Sequence, residues 1–392
     1  MNKLKFLTTL FLLVCIALTI QAQGQGDDGK SEFNPLTVGV PSLTIAPDAR
    51  GGGMGDVGAA TEPDIYSQYW NPAKYAFAFS KAGIGLTYTP WLKRLIDDID
   101  LVYLSAYYKL GDTDRQAVSA SLRYFSLGNI DMKDWDGNPI QAVSPYEMAF
   151  DVGYSLKTSE VFSLGACLRF IYSDLGSGVE DLYPGSAWAV DIAGYYNNYV
   201  MLGNSESLLG LGLTVSNIGT KISYDEGNSS NFLPTKLKLG ASLLFPMDDY
   251  NKIALNLDVN KYLIPTPPNT DAMTPEDKQN ALKDYFAISP ISGIFKSFSD
   301  APGGAKEEFR EIMWSAGAEY SYADRFFVRG GYFYEHPTKG NRQYFSVGTG
   351  FKLTAFQLDV AYLISTVPSN PLDQTLRFSL SFDMDGLRNL MK

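Results

Sequence analysis

From Lys81 to the C-terminus the chain alternates apolar and polar residues with period two, segment after segment. Successive side chains of a strand point to opposite faces, so this alternation predicts strands with one apolar and one polar face. The clearest runs are 146–156, 236–245, 253–260, 355–365 and 374–384. In 146–156, Tyr146, Met148, Phe150, Val152, Tyr154 and Leu156 share one face, against Glu147, Ala149, Asp151, Gly153 and Ser155 on the other. Similar runs fall at 81–89, 101–110, 117–127, 161–173, 187–197, 208–217, 311–322, 326–335 and 343–353, which brings the number to fourteen. The connections alternate in length. Ala323–Arg325, Lys157–Glu160 and Pro246–Asn251 are short, whereas Gly128–Pro145, Ile218–Thr235 and Leu263–Arg310 are long. Asn198–Ser207 is longish for the short side. An even strand number with short turns at one end and long loops at the other predicts an all-β fold, a fourteen-stranded antiparallel transmembrane β-barrel. A soluble sandwich gives no reason for the long–short alternation.

Ser42–Ala73 breaks this pattern. It has no steady period, places Gly51, Gly52, Gly53, Gly55 and Gly58 within eight residues, and closes on Trp70-Asn71-Pro72-Ala73. Small residues recur on the polar faces of the strands (Ala149, Gly153, Gly210, Gly212, Gly317) and leave room in a barrel lumen. Residues 42–80 are therefore expected to form an N-terminal hatch or plug in that lumen. Asp48, Arg50, Asp56 and Asp64 are expected to pair with wall charges, because buried charge needs a partner. In the longest loop, Thr274-Pro275-Glu276-Asp277 reads as a helix start, with a cap, Pro at the first position and acids in the first turn. A second helix is expected around 291–298.

The first 22 residues add the compartment. Lys3 and Lys5 precede an apolar run from Phe6 to Ile20 and then Gln21-Ala22-Gln23. This is the pattern of a cleaved signal peptide, too short to span comfortably as a helix. Residues 23–41 read as a flexible mature N-terminus. Removing the leader leaves 30 basic against 43 acidic residues, a formal charge of −13. An acidic exported chain has no basic footprint for nucleic acid. Cys167 then stands without a disulfide partner.

Catalytic chemistry is not legible. His336 is the one histidine, so no Ser-His-Asp or Cys-His set can be assembled. The Gly-rich stretch lacks the Lys-Ser/Thr ending of a phosphate loop. The acidic run Asp131–Asn138 puts Met132 and Val143 where calcium ligands would be required, and reads as a loop turning at Asp136-Gly137. No enzyme, metal or cofactor is expected.

Ala46-Pro47-Asp48-Ala49-Arg50-Gly51-Gly52-Gly53-Met54-Gly55-Asp56-Val57-Gly58, followed by Trp70-Asn71-Pro72-Ala73-Lys74 and Tyr88-Thr89-Pro90-Trp91-Leu92, resembles the N-terminal region of the PorV family, outer-membrane barrels of the type IX secretion system. The shorter pattern Ala49-Arg50, Met54-Gly55 and Asn71-Pro72-Ala73 is shared with FadL-like barrels generally. The resemblance is sharp over 42–92 and looser beyond. It implies a FadL-like barrel with a hatch, and a non-catalytic role in moving cargo. Such proteins bind the C-terminal signal domain of secreted cargo leaving an SprA-type translocon and pass it to a PorU-type sortase and its attachment complex, which joins cargo to outer-membrane lipopolysaccharide. It makes Asp48, Arg50, Gly51, Gly52, Gly53, Met54, Gly55, Asp56, Trp70, Asn71 and Pro72 the expected hatch motif. Trp91, Trp135, Tyr285, Phe286, Phe295 and Phe298 are expected on extracellular loops that contact partners. The competing function is a FadL-like transporter of hydrophobic small molecules, disfavoured by a polar, charged lumen face (Lys236, Lys238, Asp191, Asp258, Asp359).

Overall fold

The computed structural model describes residues 33–93, 98–111, 114–133, 138–176, 182–203, 205–225, 227, 230–268, 270, 273–367 and 372–390. The chain divides into two units, Met1–Phe33 and Asn34–Lys392; of the first, only Phe33 is among the described residues. The signal peptide and Trp135 therefore lie outside the description.

The strands are β1 (Ala82–Pro90), β2 (Ile99–Leu110), β3 (Gln116–Leu127), β4 (Ile130–Lys133), β5 (Pro139–Val143), β6 (Tyr146–Lys157), β7 (Phe162–Asp174), β8 (Gly185–Leu202), β9 (Ser205–Gly219), β10 (Lys236–Pro246), β11 (Asn251–Tyr262), β12 (Met313–Tyr322), β13 (Phe326–Tyr334), β14 (Gln343–Lys352), β15 (Phe356–Ser365) and β16 (Leu376–Asp383). All except β4 and β5 pair with their chain neighbours in one closed ring. The ring is sealed by antiparallel pairing of β1 with β16, from Gly83 opposite Asp383 to Tyr88 opposite Phe378. The fourteen expected strands are thus the fourteen barrel strands. β4 and β5 form a separate hairpin inside the long β3–β6 connection, which the alternation did not reveal. The longish connection at 198–207 also resolves: β8 and β9 extend until the turn between Leu202 and Ser205 is short.

Closure is the physical solution for backbone in lipid, because every N–H and C=O finds a partner and no edge remains. The apolar faces point outward, where Phe150, Val152, Leu168, Ile192, Leu213, Leu239, Leu257, Val347 and Leu358 are exposed. The opposite faces are buried and carry Asp151, Arg169, Asp191, Lys238, Asp258, Glu319, Arg329, Asp359 and Arg377. Among the described residues no helix is long and apolar enough to cross a membrane.

Candidate functional site: the lumen segment and the rim

Residues 34–80 pack against the buried faces of the strands, with contacts that pass from the long loops to the short turns. At the long-loop end the Asn34 amide donates to the Thr338 carbonyl (2.9 Å) and the Gly39 amide to Phe232 (2.9 Å). Leu36 and Val38 pack against a cluster of Phe232, Tyr262, Ile264, Tyr285, Met313, Phe333, Tyr344 and Leu363. Leu36 and Val38, two positions apart, thus present the same side to this cluster. Val40 and Leu43 then pack on Ala149, Ala187 and Ala189 of the wall. At the short-turn end Lys109 Nζ donates to the Ala78 carbonyl (2.9 Å) and the Tyr107 hydroxyl to Ser80 (3.2 Å).

The expected motif residues meet at the centre of this path. Asp48 caps the single helical turn Ala49–Gly52, accepting from the Gly51 amide (2.8 Å). Its other oxygen accepts from the Trp70 indole N–H (2.6 Å), so one carboxylate joins the two halves of the segment. Gly51 and Gly58 both lie against the Trp70 ring; a Cβ on either would stand within 2.4 Å of a ring carbon. Gly52 lies against the Arg377 guanidinium and Gly53 against the backbone of Gly348. Gly55 has φ of +76° and its amide donates to Ser346 Oγ (2.7 Å). That conformation favours glycine. Met54 is buried, and its backbone rests on Gly317 and Gly331 of the wall, where no side chain would fit. Asn71 caps the 3₁₀ turn Pro72–Phe77 through the Ala73 amide (3.0 Å) and donates to the Ala59 and Gly194 carbonyls. Pro72 occupies the first position of that turn.

Charge ties the segment to the wall. Arg50 forks onto Glu319 (3.1 and 3.2 Å) and reaches Asp64 (3.1 Å). Glu319 is shared with Arg329 (2.5 Å), which also holds Asp359 (2.6 Å). Asp56 pairs with Arg377 and accepts from the Tyr344 hydroxyl (2.5 Å). Asp258 accepts the Gly58 and Ala59 amides (2.8 and 3.0 Å). Ion pairing of this kind is what makes buried charge tolerable, although Arg329 Nη2 and Arg377 Nε keep no hydrogen-bond partner. Elsewhere on the wall Asp191, placed inward by the regular alternation of β8, pairs with Arg169 at 3.0 Å. Lys74 was quoted in the sequence pattern without a role. It is buried and donates to the Gly58 carbonyl (2.9 Å) and Thr61 Oγ1 (3.0 Å), locking the Gly-rich half to the Trp-Asn-Pro half.

The remaining reactive side chains stand apart from any catalytic arrangement. Cys167 is buried and receives the Gln68 amide N–H (3.1 Å). His336 Nδ1 accepts from the Thr338 amide (3.2 Å) within its own loop, where burial lowers its pKa. Among the described residues no cluster could hold a metal ion.

The rim divides the expected contact residues. The helix Pro275–Ala287 starts where expected, with Thr274 Oγ1 accepting the Asp277 amide (3.2 Å). A second helix spans Pro290–Lys296, and a third, Ala305–Arg310, was not anticipated. Tyr285 points inward: it is buried, packs edge-on against Phe232 and donates to the Pro265 carbonyl (3.3 Å). Phe286 is half-buried on the same cluster. Trp91 packs onto Ile45, Ile99, Leu101 and Phe125. Phe295 and Phe298 do face outward, and Ile291 and Phe309 join them; Phe295 is 74% and Phe309 73% exposed. The burial of Tyr285 follows from helix geometry, since its face carries the apolar stripe that must cover the loop's own core. The third helix is fastened by ions. Lys261 reaches Glu308 (3.0 Å) and Glu311 (2.6 Å), and Lys339 reaches Glu307 (2.5 Å) and Glu311 (3.0 Å).

A closed ring of fourteen antiparallel strands with an apolar outer face and a charged inner one defines a FadL-like outer-membrane β-barrel. Among solved structures the chain is similar to the deltaS2S3 mutant of the monoaromatic hydrocarbon channel TodX, with 13% identity, 86% of this chain and 98% of that one covered, and a TM-score of 0.50. It is also similar to the Pseudomonas putida toluene transporter TodX, with 10% identity, coverage of 90% and 99%, and a TM-score of 0.49. At such identity the likeness concerns the fold. No curated protein sequence matches the chain. The family model of type IX secretion system protein PorV matches residues 28–269, and the chain belongs to that family. It is accordingly an outer-membrane component of type IX secretion.

Proposed function

We propose that this barrel is a non-catalytic carrier, which receives the C-terminal signal domain of secreted cargo at its extracellular rim and hands it from an SprA-type translocon to a PorU-type sortase complex. The observation that carries this reading, beside family membership, is the exposure of Ile291, Phe295 and Phe309 on short helices, and of Phe298 in the turn after the first of them, at the long-loop end. Exposed aromatic clusters of this kind mark contact sites for partners. In this reading residues 42–80 act as a hatch, with Asp48, Arg50, the Gly51–Gly53 triplet, Met54, Gly55, Asp56, Trp70, Asn71 and Pro72 keeping the lumen shut while cargo stays outside. The ion pairs of Arg50 and Asp56 with the wall support a hatch that stays in place.

The test is affinity isolation from outer membranes of the full chain tagged in an extracellular loop. Recovery of proteins bearing the C-terminal signal, lost on F295D/F309D with barrel yield unchanged, is the expected result. Recovery of hydrophobic small molecules with no protein partner overturns it in favour of a FadL-like conduit.

A further inference from the structure

Above the lumen segment, on the long-loop side, two small chambers flank Tyr69. Each offers about 20 Å³ for the centre of a water-sized body, enough for one or two small species and too little for a lipid chain. The first is faced by Arg123, Arg169, Lys236 and Lys238 against one carboxylate, Asp151. Arg169 is neutralised by Asp151 (2.7 Å) and Asp191 (3.0 Å). Arg123, Lys236 and Lys238 make no ion pair among the described residues. Arg123 is 4% exposed; Nη1 donates to the Ser42 and Ile45 carbonyls (2.7 and 3.0 Å), while Nη2 is buried without a partner. Lys238 is 3% exposed and donates to the Tyr69 carbonyl (3.3 Å), its ammonium lying over the Tyr69 and Trp70 rings. Lys236 lies over the Tyr262 ring and faces both chambers. The nearby Asp258 carboxylate accepts the Gly58 and Ala59 amides through one oxygen and makes no ion-pair contact with Lys238.

Arg123 and Lys238 are buried with no carboxylate in ion-pair contact, Lys236 is half-buried beside them, and water can satisfy their hydrogen bonds without cancelling their charge. We propose that these chambers bind a small inorganic anion of chloride size, held between Arg123, Lys238 and Lys236, as a counter-ion that pins Thr44 and Tyr69 of the N-terminal segment to the wall. The site is built from both partners of that contact, since the cations belong to β3 and β10, whereas Thr44 and Tyr69 belong to the segment. The proposal is independent of how cargo is carried.

Full-length barrel is isolated in detergent in sodium chloride, sodium bromide or sodium gluconate at equal ionic strength. The expected result is an anomalous bromide peak within hydrogen-bond reach of Lys238 Nζ or Arg123 Nη2, with a higher thermal midpoint in either halide than in gluconate. K238M and K236M, which remove a charge and keep the aliphatic stem, abolish that halide dependence while retaining heat-modifiable folded barrel. Equal midpoints in all three salts with no bromide peak overturn the proposal, and show that the lysines shed their charge instead. A bromide peak with equal midpoints, for wild type and variants alike, means an adventitious ion only and also overturns it.

Discussion

The N-terminal segment and the rim loop both pack onto the ring, but with opposite materials. Along the N-terminal segment, backbone rests on wall glycine and ion pairs carry part of the anchoring: Arg50 with Glu319, Asp56 with Arg377. At the rim an apolar cluster around Tyr285 lies beneath, and phenylalanines are left facing solvent above. The difference teaches where change is tolerated. A segment confined on all sides can neither gain a methyl group nor lose a charge without consequence. A loop open to water on one side can change its outer face freely, and can evolve there for contact.

The largest effect should come from W70A. It empties the slot between Gly51 and Gly58 and leaves Asp48 buried without its indole donor, which should cost about 3–5 kcal/mol. Heat-modifiability gels should show little folded barrel; a normal yield would mean that the segment is not organised around this ring. R50M should follow, at about 3 kcal/mol, because Asp64 and one face of Glu319 lose their counter-charge. Its thermal midpoint should fall, and adding E319Q should recover part of the loss. No recovery would show that Arg50 acts through packing alone.

K339M should act on the rim only. Freeing Glu307 and Glu311 should expose the Ala305–Arg310 helix to limited proteolysis, while the barrel midpoint stays within about 0.5 kcal/mol of wild type. Acid should do the same. Burial raises the Glu307 pKa, but the bonds from Lys339 and the Gly303 amide outweigh it and hold the carboxyl below its ordinary value. A depressed carboxyl pKa contributes stability that is present above the unfolded value of about 4.3 and is lost as pH falls through the folded one. Cleavage near this helix should therefore increase below pH 4 and not between pH 6 and 8. Asp300 behaves in the opposite sense: burial raises its pKa in spite of its bonds from Thr266. Its contribution is lost as pH rises through the folded pKa, so D300N should leave the rim at neutral pH as protease-resistant as wild type, or slightly more so. The smallest effect on stability belongs to F295D/F309D, within about 0.5 kcal/mol, since both side chains already face solvent. A large fall in stability would mean that they pack against something in the membrane-embedded protein.

The sequence by itself determined the barrel. Period-two alternation is a local property, and 146–156 or 374–384 sort their faces without reference to any other residue. The long–short loop alternation fixed the strand number and the membrane setting, and the cap at Thr274 fixed the rim helix. The Gly-rich segment could be assigned to the lumen only by elimination, and its charges could be given no partners. The pairing of Arg50 with Glu319 spans 269 positions, and that of Asp56 with Arg377 spans 321. Such partners are set by strand register, shear and closure of the ring, none of which is written in a local pattern. The same limit hid the inward turn of Tyr285, the third rim helix and the cationic chamber beside Tyr69. Local alternation says which face a side chain takes. Only the closed ring decides what it meets there.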